Sequence, residues 1–447
     1  MLTNDWRWWS IRSAIPPIIA AAISLTYGLY ILAYPPTYKK LSMFLLAIPL
    51  AYAFKQHLYA APDFMLTDTF GRFLYIWYAH MSYEVLILEF APAVEKENDN
   101  WKSRMKLAWR VIFDRNHKPA VEKEQGKRRD WVREEQGKAA GTTMINPQHA
   151  FPNLPQPTLT HTATGTQYHH GYGYVRFTSH HLVQSILLGS LLTLNDRFRA
   201  SSYRPPSYDF ESGYGSFFRR LPASLDANEM YARASYCFDW TIISLFEYEF
   251  YYSLFALLFV SLLRTDAPTH WPLSLCGHIR ESWSMRRYWG THWHNYIYIS
   301  FTTHTQVVTR TWLGCKRGAL STRLLENVIV FTVSGAMHSV VKWQQDPEEE
   351  WLAITWWYIA QMLPIVAESV VQHYWHRAKK WMGVAADNKW VSRGELAAGY
   401  AWVAWWFMWS VPKYYAWKDY WTYEKMVKRW ERRRAEMEEM GLWNETE

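Results

Sequence analysis

Ser284-Met285-Arg286-Arg287-Tyr288-Trp289-Gly290-Thr291-His292-Trp293-His294-Asn295 is basic, aromatic and polar, whereas Phe331-Thr332-Val333-Ser334-Gly335-Ala336-Met337-His338 is an apolar helix carrying one histidine. An imidazole on a membrane helix is costly unless something uses or satisfies it. The pair therefore points to a reaction site within a bilayer. The chain reads as an enzyme built from membrane helices.

Outward from these two stretches, composition needs care. The negative mean hydropathy of the 447 residues argues by itself against a membrane protein. Yet 28 Trp and 30 Tyr depress that mean, although their amphipathic rings concentrate where hydrocarbon meets headgroups. The net charge of +8 lies mostly between or after apolar stretches. It suits an anionic membrane face or an anionic cofactor, and nucleic acid is not an expected partner because no compact basic domain is present. Cys237, Cys276 and Cys315 form no CxxC pair, so neither a disulfide scaffold nor a zinc ribbon is expected.

Spans of bilayer length are predicted at Ile11 to Tyr34, with Pro16-Pro17 absorbed in its first turn, and at Phe70 to Ala91. Leu41 to Phe54 is a shorter candidate. Further spans are predicted at Phe177 to Leu194, Tyr236 to Leu263, Arg323 to Val341, Trp351 to Gln372 and Leu396 to Ser410. The expected fold is an all-α polytopic membrane protein of about 7–9 transmembrane helices. Residues 1–93 are N-terminal membrane helices, and 94–172 is a polar, partly disordered insertion too poor in apolar residues to form a core. Within the insertion, 101–113 reads as a basic amphipathic helix lying on the membrane surface. Residues 173–415 form the membrane core, and 416–447 is a charged, water-facing helical tail. Concentrated Lys and Arg place the insertion, the 316–323 loop and the tail on the cytosolic side.

The chemistry starts at His338. On a helix it shares a face with Ser334, Gly335, Val341 and Lys342, so small residues one turn earlier open space through which a substrate reaches the ring. Histidine accepts and returns a proton near neutral pH, as an alcohol attacking an acyl group requires. An interhelical histidine satisfied by a carbonyl is the alternative on this residue alone. Arg286 and Arg287 beside Tyr288 and Trp289 suit an interfacial helix that meets phosphates, while His292, Trp293, His294 and Asn295 crowd donors suited to an oxyanion.

At these positions the chain resembles the wax-synthase-like branch of the membrane-bound O-acyltransferases, including fungal secondary-metabolite acetyltransferases. The likeness lies in Trp271-Pro272-Leu273, in Ser284 to His294 and in the helix ending Ser334-Gly335-Ala336-Met337-His338. Trp101 to Phe113 and Tyr174 to Asp196 also resemble that branch, although Asp114 to Pro119 stands where it carries Arg-Gly-Ile-Gly. The resemblance implies helices enclosing a chamber and an acyl group moving from acyl-CoA to a hydroxyl. It makes His338 the catalytic base and gives His294 the acyl donor to position. Trp289, Trp293, Asn295 and Ser334 would line the site, and Arg286, Arg287, Lys316 and Arg317 would meet the CoA phosphates. Acyl-CoA, used as co-substrate with no permanently bound cofactor or metal, is expected to be acetyl-CoA, because the spans carry many bulky rings. The expected partners are a small hydrophobic alcohol such as a terpenoid or polyketide, acyl-CoA and the bilayer, with the endoplasmic reticulum as location.

Three alternatives remain in view. Transfer of a long-chain acyl group to a fatty alcohol would make wax esters. A di-iron desaturase or hydroxylase would need His169-His170, His180-His181, His292, His294, His304, His373 and His376 to act as ligands, and their spacing lacks the required HxxxH and HxxHH order. A transporter would line an ion path with His338, Asp239, Glu247 and Glu249. The oligomeric state is not legible in the sequence.

Overall fold

A computed structural model describes residues 11–61, 64–92, 99–113, 158–162, 165–169, 173–201, 227–268, 271, 274–293, 298–345, 351–383 and 388–439. Helices α1 (Ile11–Ala33) and α2 (Lys39–Lys55) form a hairpin, followed by α3 (Phe64–Ser82), which runs on through a π-helical turn at Tyr83–Ile87. Leu32, Met43, Leu46, Leu50, Trp77 and Met81 bury one another between these three helices. α1 already runs from Ile11, so Pro16 and Pro17 lie deeper than the first turn expected for them.

α4 (Trp101–Phe113) packs on α1. Its Ala108 and Val111 are buried in the N-terminal core, and the Arg104 guanidinium donates to the carbonyl of Ala33 (3.3 Å) and to Asp99 (2.7 Å). Met105 packs partly against the same core, while Lys102 and Lys106 are exposed. A second difference lies in the polar insertion, where β1 (Thr158–Thr162) and β2 (Gly165–His169) pair antiparallel from Thr158↔His169 to Thr162↔Gly165.

The second half begins with α5 (Tyr174–Ser201), packed on α7 (Ser244–Ala256). α6 (Ala227–Phe238) joins α7 through a π turn at Asp239–Ile243, and α7 continues into another at Leu257–Leu262. Next come α8 (Met285–Arg287) with its π turn Tyr288–His292, α9 (Tyr298–Gln306) with the π turn Val307–Trp312, α10 (Leu320–Gln345), α11 (Leu352–Ala360) and α12 (Met362–Trp381). The last helix, α13 (Lys389–Glu439), is continuous over 51 residues, so the expected Trp-rich span and the charged tail are one element.

Among the described residues, four helices are long and apolar enough to cross a membrane: Arg12–Ala33, Arg233–Leu262, Leu320–Gln344 and Leu352–Trp381. Several other helices nonetheless turn apolar faces outward. Leu41, Phe44 and Ile48 on α2 and Leu182, Val183, Ile186 and Leu187 on α5 are exposed. A broad apolar exterior is stable against hydrocarbon rather than water. The helices thus form an integral membrane protein whose inner faces build two cores, one N-terminal and one around the tryptophans of the second half.

Candidate active site

The start of α8 sets the frame. Ser284 Oγ caps α8 by accepting from the Arg287 amide (3.2 Å), and the Glu368 carboxylate on α12 accepts from the amides of Met285 and Arg286 (3.3 Å for Arg286). Those amides have no partner inside so short a helix, so two elements far apart in sequence are joined through them. The following π turn is fixed from the other side. Gly277 N donates to the His292 carbonyl (2.8 Å), while His292 Nδ1 bonds the Gly277 carbonyl (2.8 Å). A Cβ at Gly277 would lie 2.0 Å from the Thr291 oxygen, so only glycine permits this double bridge.

These clasps aim Trp289 and Trp293 into the second core. Trp293 stacks on Trp240 at 4.9 Å between centroids, and Trp289 packs edge-on against Phe331 (5.6 Å) and beside Tyr358 (6.3 Å). Tyr358 in turn lies flat against His338, with centroids 4.8 Å apart and planes inclined by 13°. Both stretches singled out by the sequence therefore meet one tyrosine of α11. His338 is half-buried within α10, and Ser334, also half-buried, is one turn before it.

Space beside the histidine differs from expectation. A Cβ at Gly335 would lie 2.8 Å from the Thr355 backbone and 2.9 Å from Tyr358 Cβ, so the missing side chain admits α11 instead of opening a substrate route. Ser339 Oγ reinforces the contact, reaching the Trp351 carbonyl (2.8 Å) and the Thr355 hydroxyl (2.6 Å). Val341 and Lys342 are buried as well.

The four basic candidates divide. The Arg286 guanidinium donates to Ser369 Oγ at 2.7 Å from an exposed position. Arg287 is ion-paired with Glu281 and lies 5.2 Å over the Trp283 ring, so part of its charge is already matched within the protein. Lys316 is exposed and Arg317 half-buried in the loop before α10. His294 and Asn295 lie outside the described residues, as do Pro272 and Leu273.

Some acidic and histidine side chains are committed elsewhere. Glu249 accepts from the Cys276 amide (2.8 Å) and Gln184 Nε2 (3.4 Å), clasping α7 to α5 and to the loop before α8. His181 meets Ser253 (3.2 Å), and His304 meets Ser82 and the Ser300 carbonyl (both 2.6 Å). Among the described residues no three His, Cys, Asp or Glu side chains are grouped as metal ligands. The sequence reading missed Tyr358 and Glu368, and it missed Asp68 and Arg72 on α3. Arg72 is paired with Asp68 and donates to the Tyr248 hydroxyl (3.2 Å), and all three interact electrostatically with the Tyr358 phenol. An i,i+4 Asp and Arg in an apolar helix was the available signal.

Residues 271–360 match the membrane bound O-acyl transferase family, and that stretch holds the π turn, His338 and Tyr358. The protein is similar to fungal acetyltransferases. It is 27% identical over 191 residues to acetyltransferase nanB of Aspergillus nanangensis, covering 43% of this chain and 44% of that protein. It is 30% identical over 106 residues to acetyltransferase cdmC of Talaromyces verruculosus (24% and 25%) and 26% identical over 152 residues to acetyltransferase TRI7 of Fusarium sporotrichioides (33% and 34%). The aligned stretch spans less than half the length of each of these relatives. These findings bear out the resemblance seen in the sequence, and the stretch that carries it is similar to that of acyltransferases.

Proposed function

We propose that the protein transfers an acetyl group from acetyl-CoA to a hydroxyl of a hydrophobic acceptor, a terpenoid or polyketide alcohol, with His338 as general base. The observation that carries this reading is His338 itself, held within α10 on Tyr358 where Trp289 of the other stretch converges, all inside the family match. As the acceptor oxygen attacks the thioester carbon, its proton passes to the imidazole. The tetrahedral oxyanion then collapses, the carbon–sulfur bond breaks, and the imidazolium returns the proton to the thiolate, which leaves as CoA. His294 and Asn295 steady the oxyanion in this scheme. The exposed Arg286 and Lys316, with Arg317, meet the CoA phosphates from the cytosolic side. Acetyl is preferred over a long acyl chain because the relatives are named acetyltransferases and bulky rings crowd the neighbourhood of His338.

The finer architecture follows the same reading. About 7–9 spans enclose the chamber once α2, α3, α5 and α13 are counted with the four apolar helices. Residues 1–93 and 173–415 form the membrane body, 94–172 and 416–447 face the cytosol, and the enzyme resides in the endoplasmic reticulum, where cytosolic acyl-CoA and membrane-dissolved alcohols meet. The test uses purified full-length protein, acetyl-CoA or palmitoyl-CoA, and a panel of terpenoid and polyketide alcohols, with free thiol and ester both measured. Ester formation from acetyl-CoA should fall by about two to four orders of magnitude in His338→Ala. A variant that folds and keeps full rate would remove the base assignment, and equal use of palmitoyl-CoA would remove the acetyl preference.

A further inference from the structure

We infer that Tyr358 is a positioning residue for the proposed base: its ring is the surface on which the His338 imidazole is held and against which its protonated form is stabilised. This rests on His338 acting as the base.

The geometry is that of a flat stack, with centroids 4.8 Å apart and planes inclined by only 13°. A neutral imidazole gains modestly from such a partner. An imidazolium gains more, because its charge lies over the negative face of a buried phenol ring. A base must become that cation when it accepts the acceptor's proton, so the stack favours the charged intermediate over the resting state.

Two further features hold the ring in place. Gly335 lets α11 approach until Tyr358 Cβ is 2.9 Å from where an alanine methyl would sit, which sets the depth at which the ring meets His338. Tyr414 of α13 packs edge-on against the ring at 6.4 Å between centroids, and Asp68 and Arg72 of α3 and Tyr248 of α7 lie within electrostatic reach of the phenol. Asp68 and Arg72 are paired with each other, so their charges on the phenol largely offset. Other ionisable groups on helices around the stack are engaged elsewhere. Glu368 of α12 accepts from the amides of Met285 and Arg286, and His304 of α9 bonds Ser82 and the Ser300 carbonyl. Lys342 lies one turn along α10 from His338 and is buried. None of these supplies the π face; Tyr358 does.

The test reads His338 directly. Diethyl pyrocarbonate modifies only neutral imidazole, so the rate at the His338 peptide, followed by mass spectrometry on the full-length protein in detergent between pH 5 and 8, gives its protonation midpoint. Tyr358→Phe should keep the midpoint within a few tenths of a unit, since the ring remains. Tyr358→Leu should lower it by about one pH unit, with the acid limb of kcat/KM moving the same way. Should Tyr358→Leu fail to fold, phenylalanines with one, two and three ring fluorines at position 358 keep the shape while weakening the π face, and the midpoint should fall stepwise. An unchanged midpoint in Tyr358→Leu or across the fluorinated series overturns the inference, as does a Tyr358→Phe shift equal to that of leucine. Absence of acetyl transfer in the unaltered protein would defeat the proposed function instead, and the midpoints would still be readable.

Discussion

At the scale of single residues, the motif loop depends on side chains that carry no chemistry. His292 sits in the motif, yet its ring serves Gly277, and burial pushes its pKa below the ordinary histidine value against the opposing bond to the Gly277 carbonyl. His57, in the link between α2 and α3, is depressed by burial in the same way, and its Nε2 finds no partner among the described residues. The folded state thus binds these protons less readily than the unfolded chain does. Stability should be fully present above about pH 6.5, fall as pH drops through that value, and level off below the depressed folded values. Thermal unfolding in detergent between pH 5 and 8 should show the fall, and His292→Gln should reduce its slope. A midpoint that rises on acidification would contradict both assignments. Tyr358 and Glu368 escaped the sequence because nothing local marks them. Tyr358 follows Trp356 and Trp357 in an aromatic run, and only the packing of α10 on α11 selects it. Arg287 was legible as a cation but not as one already paired, since Glu281 meets it only once the loop before α8 has folded.

At the scale of elements, one buried ion pair joins the π turn after α9 to α10. Arg310 Nε and Nη2 donate to the two carboxylate oxygens of Glu326 at 2.7 and 3.0 Å, and Thr309 Oγ1 donates to the same group at 3.0 Å. Both side chains are about one-tenth exposed, so removing either partner strands a charge. Glu326→Leu or Arg310→Met alone should cost about 3–5 kcal/mol, whereas the two together should recover most of that loss. Thermal melts of the two single variants and the double variant form the cycle, and an additive double variant would show that the pair does not couple the elements. Apolar periodicity made α10 legible from the sequence. The π turns were not, because each adds one residue to a turn without altering the apolar pattern around it.

At the scale of the whole molecule, the difference between four apolar helices and about 7–9 expected spans has a physical origin. Hydropathy scales count Trp and Tyr as polar, which penalises α13 with Trp402, Trp405, Trp406 and Trp409, although Trp406 and Phe407 are buried in the second core. α5 is penalised differently. Its inner face carries His181, Ser185 and Gln184 toward α7, while Leu182, Val183, Ile186 and Leu187 point away from the protein. An amphipathic span whose polar side is covered by protein belongs in lipid as much as a uniformly apolar one. With Cys237, Cys276 and Cys315 replaced by serine, a single cysteine at Ile186, which is 63% exposed, should resist a charged maleimide in intact membranes and react once the protein is denatured. A cysteine at Arg197, near the far end of the same helix, should react in both states. Rapid labelling at position 186 in intact membranes would put α5 in water, lower the span count, and leave its outward leucines and valines to be covered by another protein surface.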